Sequence, residues 1–203
     1  MNFGKLIKER HSIRDYQDKD VKHDLVCEVL EAAKSAPSSG NVQNWVFIVV
    51  RNKDKMLRLS SACLDQDWIA QAPALIVICY DFRNIQSLYP KRAVEFSIQN
   101  TATATTQMML KATELGLGTC WVDISDKNEA ANCLKLPPHL VPSHLITLGY
   151  QKGAYKKTKR NEIQLVTYFE EFGFTKRETN LSAFPLEKNL DKLKKKLIKK
   201  RKK

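Results

Sequence analysis

Four short apolar runs organise the chain: residues 46–50 "VFIVV", 74–81 "ALIVICYD", 119–124 "TCWVDI" and 145–150 "LITLGY". Runs of this length, bounded by turn residues, suit buried strands better than helices. Helix-patterned stretches separate them. Residues 2–10 put Phe3, Leu6 and Ile7 on one side, and residues 21–35 repeat Leu25, Val26, Val29, Leu30 and Ala33 at helical spacing behind a capping Asp20. Pro37 ends that helix, because the residue before a proline avoids helical geometry. Residues 54–72 also read as helix, 83–92 as loop, 93–115 as a long helix with Gly116 just past its end, and 126–134 as a short helix. The strand expected at 145–150 follows a lead-in, "PPHLVPSH", and precedes a basic loop at 151–162. Few strands, alternating with helices of unequal length, predict a layered α/β or α+β domain.

The remaining composition bounds the function. The chain has 203 residues, enough for one domain with an appendage. No apolar run approaches the roughly 20 residues of a membrane span, and the N-terminal "MNFGKLIKERHSIRDY" lacks a secretory pattern, so a cytoplasmic location is expected. Five widely spaced cysteines without a C-x-x-C pair read as reduced, mostly buried thiols. The four histidines lack metal-ligand spacing, and no metal site is expected. The net charge of +12 is concentrated at one end: residues 186–203, "LEKNLDKLKKKLIKKRKK", hold +8 of it. Residues 1–185 therefore read as one domain and 186–203 as a Lys-rich amphipathic tail, with Leu186, Leu190, Leu193 and Leu197 on one stripe if helical. A solvated tail is favoured there. A helix packed on the body, or a basic arm for nucleic acid or an anionic membrane, are the alternatives.

Fingerprints for dinucleotide, P-loop, zinc-protease and α/β-hydrolase chemistry are missing from the sequence. Two polar clusters remain. "ERHSIRDY" places Arg10, His11, Ser12 and Arg14 within five residues after a helix, and guanidinium forks with a hydroxyl can cradle a phosphate or a polar ring edge. A solvated basic turn would look the same. The second cluster is the connection at 37–45, "PSSGNVQNW", crowded with hydroxyls and amides where an ordinary turn needs one Gly or Asn. A third basic group, "KKTKR", spans 156–160, and the glycines of "ELGLGTCWV" and "LITLGYQKG" permit close backbone approach.

The order of these pieces, "RHSIRDY", "APSSGNVQNWVFIVV", "APALIVI", "ELGLGTCWV" and "LVPSHLITLGYQKG", resembles the FMN-dependent nitroreductase family over roughly residues 2–170. The resemblance implies an α+β three-layer sandwich, a central mixed sheet flanked by helices, with a strand often added by the partner's C-terminal segment. It implies a homodimer with FMN at the subunit interface. Arg10, His11, Ser12 and Arg14 would bind the phosphate, the ribityl chain and the pyrimidine edge. Pro37, Ser38, Ser39, Asn41 and Gln43 would contact the FMN held mainly by the other subunit. Gln66 would set an amide against the ring, and Gly118 would lie at the cofactor. Lys159 and Arg160, with Lys157 as a further candidate, would meet the phosphate.

The chemistry so implied is a ping-pong cycle: NADH or NADPH reduces the flavin, and a nitroaromatic, quinone or similar small-molecule acceptor removes two electrons. Arg14 is the residue expected to act catalytically, by stabilising negative charge near N1 and O2 of the reduced ring. No acid or base is assigned. Alternatives are a relative with specialised flavin chemistry, or a low-activity flavin-binding module recruited to polyanions by its tail. Asn44, Asn100, Met108, Asp123 and Gln151 depart from the family pattern, which has proline at the first and last of these positions.

Overall fold

The computed structural model describes residues 2–155 and 158–172. Residues 2–155 belong to one compact unit; 158–172 belong to a second, described by itself. The first unit runs α1 (Phe3–Glu9), α2 (His23–Lys34), β1 (Trp45–Val50), α3 (Lys53–Ala62), β2 (Ala74–Asp81), α4 (Phe82–Leu88), α5 (Ala93–Glu114), β3 (Gly118–Asp123), α6 (Lys127–Leu134) and β4 (Leu140–Gly149). The sheet order is β1-β2-β4-β3.

Strand alternation divides the core into two halves. Leu75, Val77, Cys79, Cys120, Val122 and Leu145 face Met56 and Leu59 of α3 and Ala130 and Cys133 of α6. Ala74, Ile76, Ile78, Ile146 and Leu148 face Val26, Val29 and Ala33 of α2 and Ala104, Met108 and Ala112 of α5. Helices thus cover both faces of one sheet, which is the three-layer architecture expected. The sheet itself is not mixed as expected: all of its strand pairings are antiparallel, and the one parallel contact among the described residues is the isolated bridge from Ser12 to Thr119.

Several boundaries moved for identifiable reasons. Asp20 does not cap α2; the helix starts at His23 after Lys22, because Val21 is buried and its carbonyl is taken by Arg51 Nη2 at 2.6 Å. The helix expected over 54–72 breaks at Ala62. Leu64 and Asp65 take left-handed φ values of 62° and 53°, and Ser125 and Asp126 both donate backbone N–H to the Ala62 carbonyl. A 3-10 turn, Asp67–Gln71, then follows. The supposed loop at 83–92 holds α4, started by Asp81, whose carboxylate accepts from Arg83 N at 3.0 Å, and anchored by buried Ile85. β4 begins earlier than expected, at Leu140. A register shift opposite Ile78 and Cys79 lets Pro142 sit within the strand, the kind of irregularity where proline is tolerated.

In the second unit, a 3-10 turn covers Ile163–Leu165, and the rings of Tyr168 and Phe172 meet at 4.5 Å. The tail at 186–203 lies outside the described residues.

Candidate active site

The segment after α1 is held against the sheet as a strap. Ile13 N donates to Thr119 O at 2.9 Å, Gln17 N to Tyr150 O at 2.9 Å, and Lys152 N to Asp15 O at 3.0 Å. Ile13 and Tyr16 turn inward and are buried, so Ser12 and Arg14 turn outward and are exposed. Tyr16 donates its hydroxyl to Ile13 O at 2.6 Å, and burial pushes the phenol above its ordinary range.

The strap needs two glycines beneath it. A Cβ on Gly118 would lie 2.6 Å from Ile13 Cγ1, and one on Gly149 would lie 2.7 Å from Tyr16 Cδ1. Gly118 therefore serves the approach of the strap, and it also lines a cavity beside His11.

Arg14, Ser12 and Arg10 act on the Cys120 thiol. Burial raises that thiol's pKa, against the pull of Arg14, of a hydrogen bond with Ser12 and of Arg10. The Arg14 guanidinium stands 5.5 Å from the centre of the Trp68 ring. Neither arginine forms an ion pair with a carboxylate among the described residues. Two guanidiniums without a carboxylate partner among the described residues, the half-buried Arg10 and the exposed Arg14, make with the exposed Ser12 a donor set suited to an anion or to an acceptor-rich ring edge. His11 differs from its neighbours: Nδ1 lies 2.6 Å from Glu9 O and Nε2 lies 3.1 Å from Gln151 Oε1. Gln66 donates its amide to Cys63 O at 2.7 Å, closing the break after α3.

The hydroxyl loop is built by buried amides. Asn100 Oδ1 accepts from Ser39 N at 2.8 Å, and Asn100 Nδ2 donates to Asn44 Oδ1 at 2.9 Å. Asn44 Nδ2 in turn donates to Ser97 Oγ at 2.8 Å and Asp81 O at 3.0 Å. Thr103 donates to Pro37 O at 2.9 Å, Gln43 N donates to Ser38 Oγ at 3.1 Å, and Gln43 Nε2 donates to Asn41 Oδ1 at 3.1 Å. Asn41 and Gln43 hold φ values of 56° and 50°, uncommon for residues other than glycine. Asn44 and Asn100, two departures from the family pattern, are thus the pair that seats this loop on α5.

The two clusters lie at opposite ends of the sheet. The loop enters β1 at Trp45, level with Tyr80 of β2; the strap meets β3 at Thr119, which pairs with Leu148, level with Ala74 of β2. Six residues of β2 separate those levels, about 20 Å along the strand. Lys159 and Arg160 are exposed in the second unit, and Lys157 lies outside the described residues. Sequence reasoning missed Trp68, Tyr89 and Tyr155. Tyr89 is where a Cβ on Gly40 would collide, 2.9 Å from its hydroxyl. Single aromatics in loops carry no pattern by which they could have been found.

Comparison with known proteins agrees with this architecture. The Nitroreductase family matches residues 7–66 and 60–150. A protein of Archaeoglobus fulgidus, provisionally named an NADH dehydrogenase/NAD(P)H nitroreductase, is 34% identical over 152 residues, covering 73% of this chain and 84% of its own. The FMN reductase [NAD(P)H] of Bacillus subtilis is 29% identical over 188 residues, 83% of this chain and 73% of its own. Among solved structures, an FMN-dependent nitroreductase from Clostridium difficile superposes with a TM-score of 0.70 at 29% identity, over 82% of this chain and 98% of that one. The chain belongs to the nitroreductase family.

Proposed function

We propose that the protein is an FMN-dependent oxidoreductase that passes two electrons from NADH or NADPH to nitroaromatic, quinone or similar small-molecule acceptors in a ping-pong cycle. The observation that carries this reading is the donor set of Arg10, Ser12 and Arg14 on a strap fixed to the sheet, with no carboxylate pairing either arginine among the described residues. That set fits the phosphate and pyrimidine edge of FMN. Bound FMN supplies hydride acceptance and two-electron delivery. Arg10 and Ser12 bind the cofactor's anionic and hydroxyl groups. Arg14, held over Trp68, places a fixed positive charge where negative charge gathers on reduction.

A second copy of the chain completes the site. The loop carrying Pro37, Ser38, Ser39, Asn41 and Gln43 is about 20 Å along the sheet from the strap, so we assign it to the FMN of the partner in a homodimer. Helix α1 buries none of its residues, with Phe3 68% and Ile7 50% exposed, and Val94 and Ile98 of α5 are exposed as well. These are apolar surfaces for a partner to cover. Five free cysteines suit a reducing compartment, and we place the protein in the cytoplasm.

The test is direct. Heat or acid should release a yellow chromophore with the mass of FMN, and the purified protein should sustain oxidation of NADH or NADPH beyond one equivalent of its flavin when a nitro or quinone acceptor is supplied. A colourless protein that fails to take up added FMN refutes the reading.

A further inference from the structure

His11 sits between Arg10 and Ser12 yet is engaged differently from both. The carbonyl of Glu9 and the Oε1 of Gln151 occupy its two ring nitrogens at 2.6 and 3.1 Å. Gln151 Nε2 donates to Gly153 O at 2.7 Å, which holds the amide with its oxygen towards the imidazole. The ring of Tyr155 stacks on His11 with 12° between the planes. Both oxygens are acceptors, so a neutral imidazole donates its single N–H to one of them and only the imidazolium donates to both, while Tyr155 covers one face of the ring.

The backbone at 151 does not require glutamine. The bridge between Tyr16 and Gln151 is made by Gln17 N to Tyr150 O and Lys152 N to Asp15 O, so its hydrogen bonds belong to the neighbours. The N–H of Gln151 bonds nothing among the described residues. What this position adds is the side-chain amide, and that amide goes to His11.

Arg10 N–H donates to Leu6 O at 3.0 Å as the last bond of α1, and no further backbone hydrogen bond holds residues 10 and 11 among the described residues. Helix α1 ends at Glu9, Arg10 is already extended, and the first sheet contact is at Ser12. A cavity of about 390 Å³ lies alongside, lined by Glu9, His11, Ile13, Thr113, Gly118 and Tyr155 among others. Close packing does not hold His11 from that side; the hydrogen bonds and the stack do.

We propose that His11, Gln151 and Tyr155 form a latch that ties residues 151–155 to the strap and so aims Arg10 and Ser12 at the cofactor, none of the three touching the flavin. They are positioning residues, and the inference rests on the FMN reading above. If the latch opens, Arg10 and Ser12 lose their direction while Arg14, anchored between buried Ile13 and Tyr16, keeps its place.

The experiment titrates apoprotein with FMN, following flavin fluorescence. Gln151→Ala and Tyr155→Ala should each weaken binding by about three- to tenfold, the range for one part-buried hydrogen bond or ring contact. Tyr155→Phe should stay near the wild type. Adding His11→Ala to Gln151→Ala should cost little more, because both remove the same contact. The midpoint potential of the bound flavin in Gln151→Ala should match the wild type, and hydrogen exchange of the apoprotein should show the Lys152 amide, which donates to Asp15 O, losing protection. Additive effects of His11→Ala and Gln151→Ala, a shifted potential in Gln151→Ala, or unchanged affinity in both alanine variants would each overturn the latch. A wild-type protein that binds no FMN defeats the FMN reading instead, and the exchange measurement then still decides whether the latch exists.

Discussion

His144 offers a sharp test of the packing. It lies 3% exposed in β4, with Nε2 2.8 Å from Thr105 Oγ1 and Nδ1 3.0 Å from Ser143 Oγ, under the ring of Trp121 at 3.9 Å. Burial alone holds its pKa down, from 6.5 to about 3. A depressed histidine means that the unfolded chain binds the extra proton between pH 3 and 6.5, so stability must rise with pH across that window. The neutral ring's contribution is complete above pH 6.5 and is lost as pH falls through the window. Between pH 7 and pH 5 the loss works out at about 2 kcal/mol, roughly a 25-fold fall in the folded-to-unfolded ratio. The assay is urea denaturation of wild type and His144→Gln at both pH values. Groups other than His144 contribute to both proteins, so wild type should lose about 2 kcal/mol more than the variant. An NMR titration of the ring should show it still neutral at pH 5. Equal pH dependence in the two proteins, or a ring midpoint near 6.5, would refute the argument.

Three further outcomes follow from the site. Arg14→Ala should lower the midpoint potential of the flavin, on the order of tens of millivolts, and slow its reduction; an unchanged or higher potential in a variant that still binds FMN contradicts the role given to Arg14. Asn44→Ala strands the Nδ2 of Asn100 in a buried site and should destabilise the fold by about 1–3 kcal/mol, read by calorimetry as a lower Tm. Gly118→Ala drives a Cβ into Ile13 and should cost about 1–3 kcal/mol, with weaker FMN binding; adding Ile13→Ala should recover part of the binding, and no recovery would mean that the strap is not what the glycine serves.

The strands could be read from the sequence because each is a dense apolar run buried on at least one face. The missed elements lack that signal. Helix α4 has one buried anchor, Ile85, and a cap, Asp81, that reads equally well as the end of a strand. The break after α3 depends on left-handed Leu64 and Asp65, residue types that do not announce such a conformation. Pro142 hides the first half of β4, since only the register shift makes room for it. For the site, the residue types were legible and their partners were not. Asn44 meets Asn100 across 56 positions, and His11 meets Gln151 across 140. Local spacing carries no information about contacts of that separation.

Helix α5 bears on the proposed homodimer. Its 22 residues span about 33 Å. Ser97, Asn100 and Thr103 near its start seat the loop, Ala104, Met108 and Ala112 pack on the sheet, and the chain then turns into Gly118 beneath the strap. A rigid rod with the loop at one end and the strap at the other keeps them apart within one chain, whereas in the proposed homodimer a two-fold axis would pair the strap of each copy with the loop of the other. The consequence is quantitative. Take a chain broken at the strap by Arg10→Ala and Arg14→Ala together, and a chain broken at the loop by Ser39→Trp, each inactive alone. A heterodimer places both lesions in one site and neither in the other. Equal mixing makes about half the dimers hetero, each with one working site of two, so activity should return to about a quarter of the wild-type value. Were each site made within one chain, every site in the mixture would carry a lesion, and activity would stay at zero despite confirmed subunit exchange.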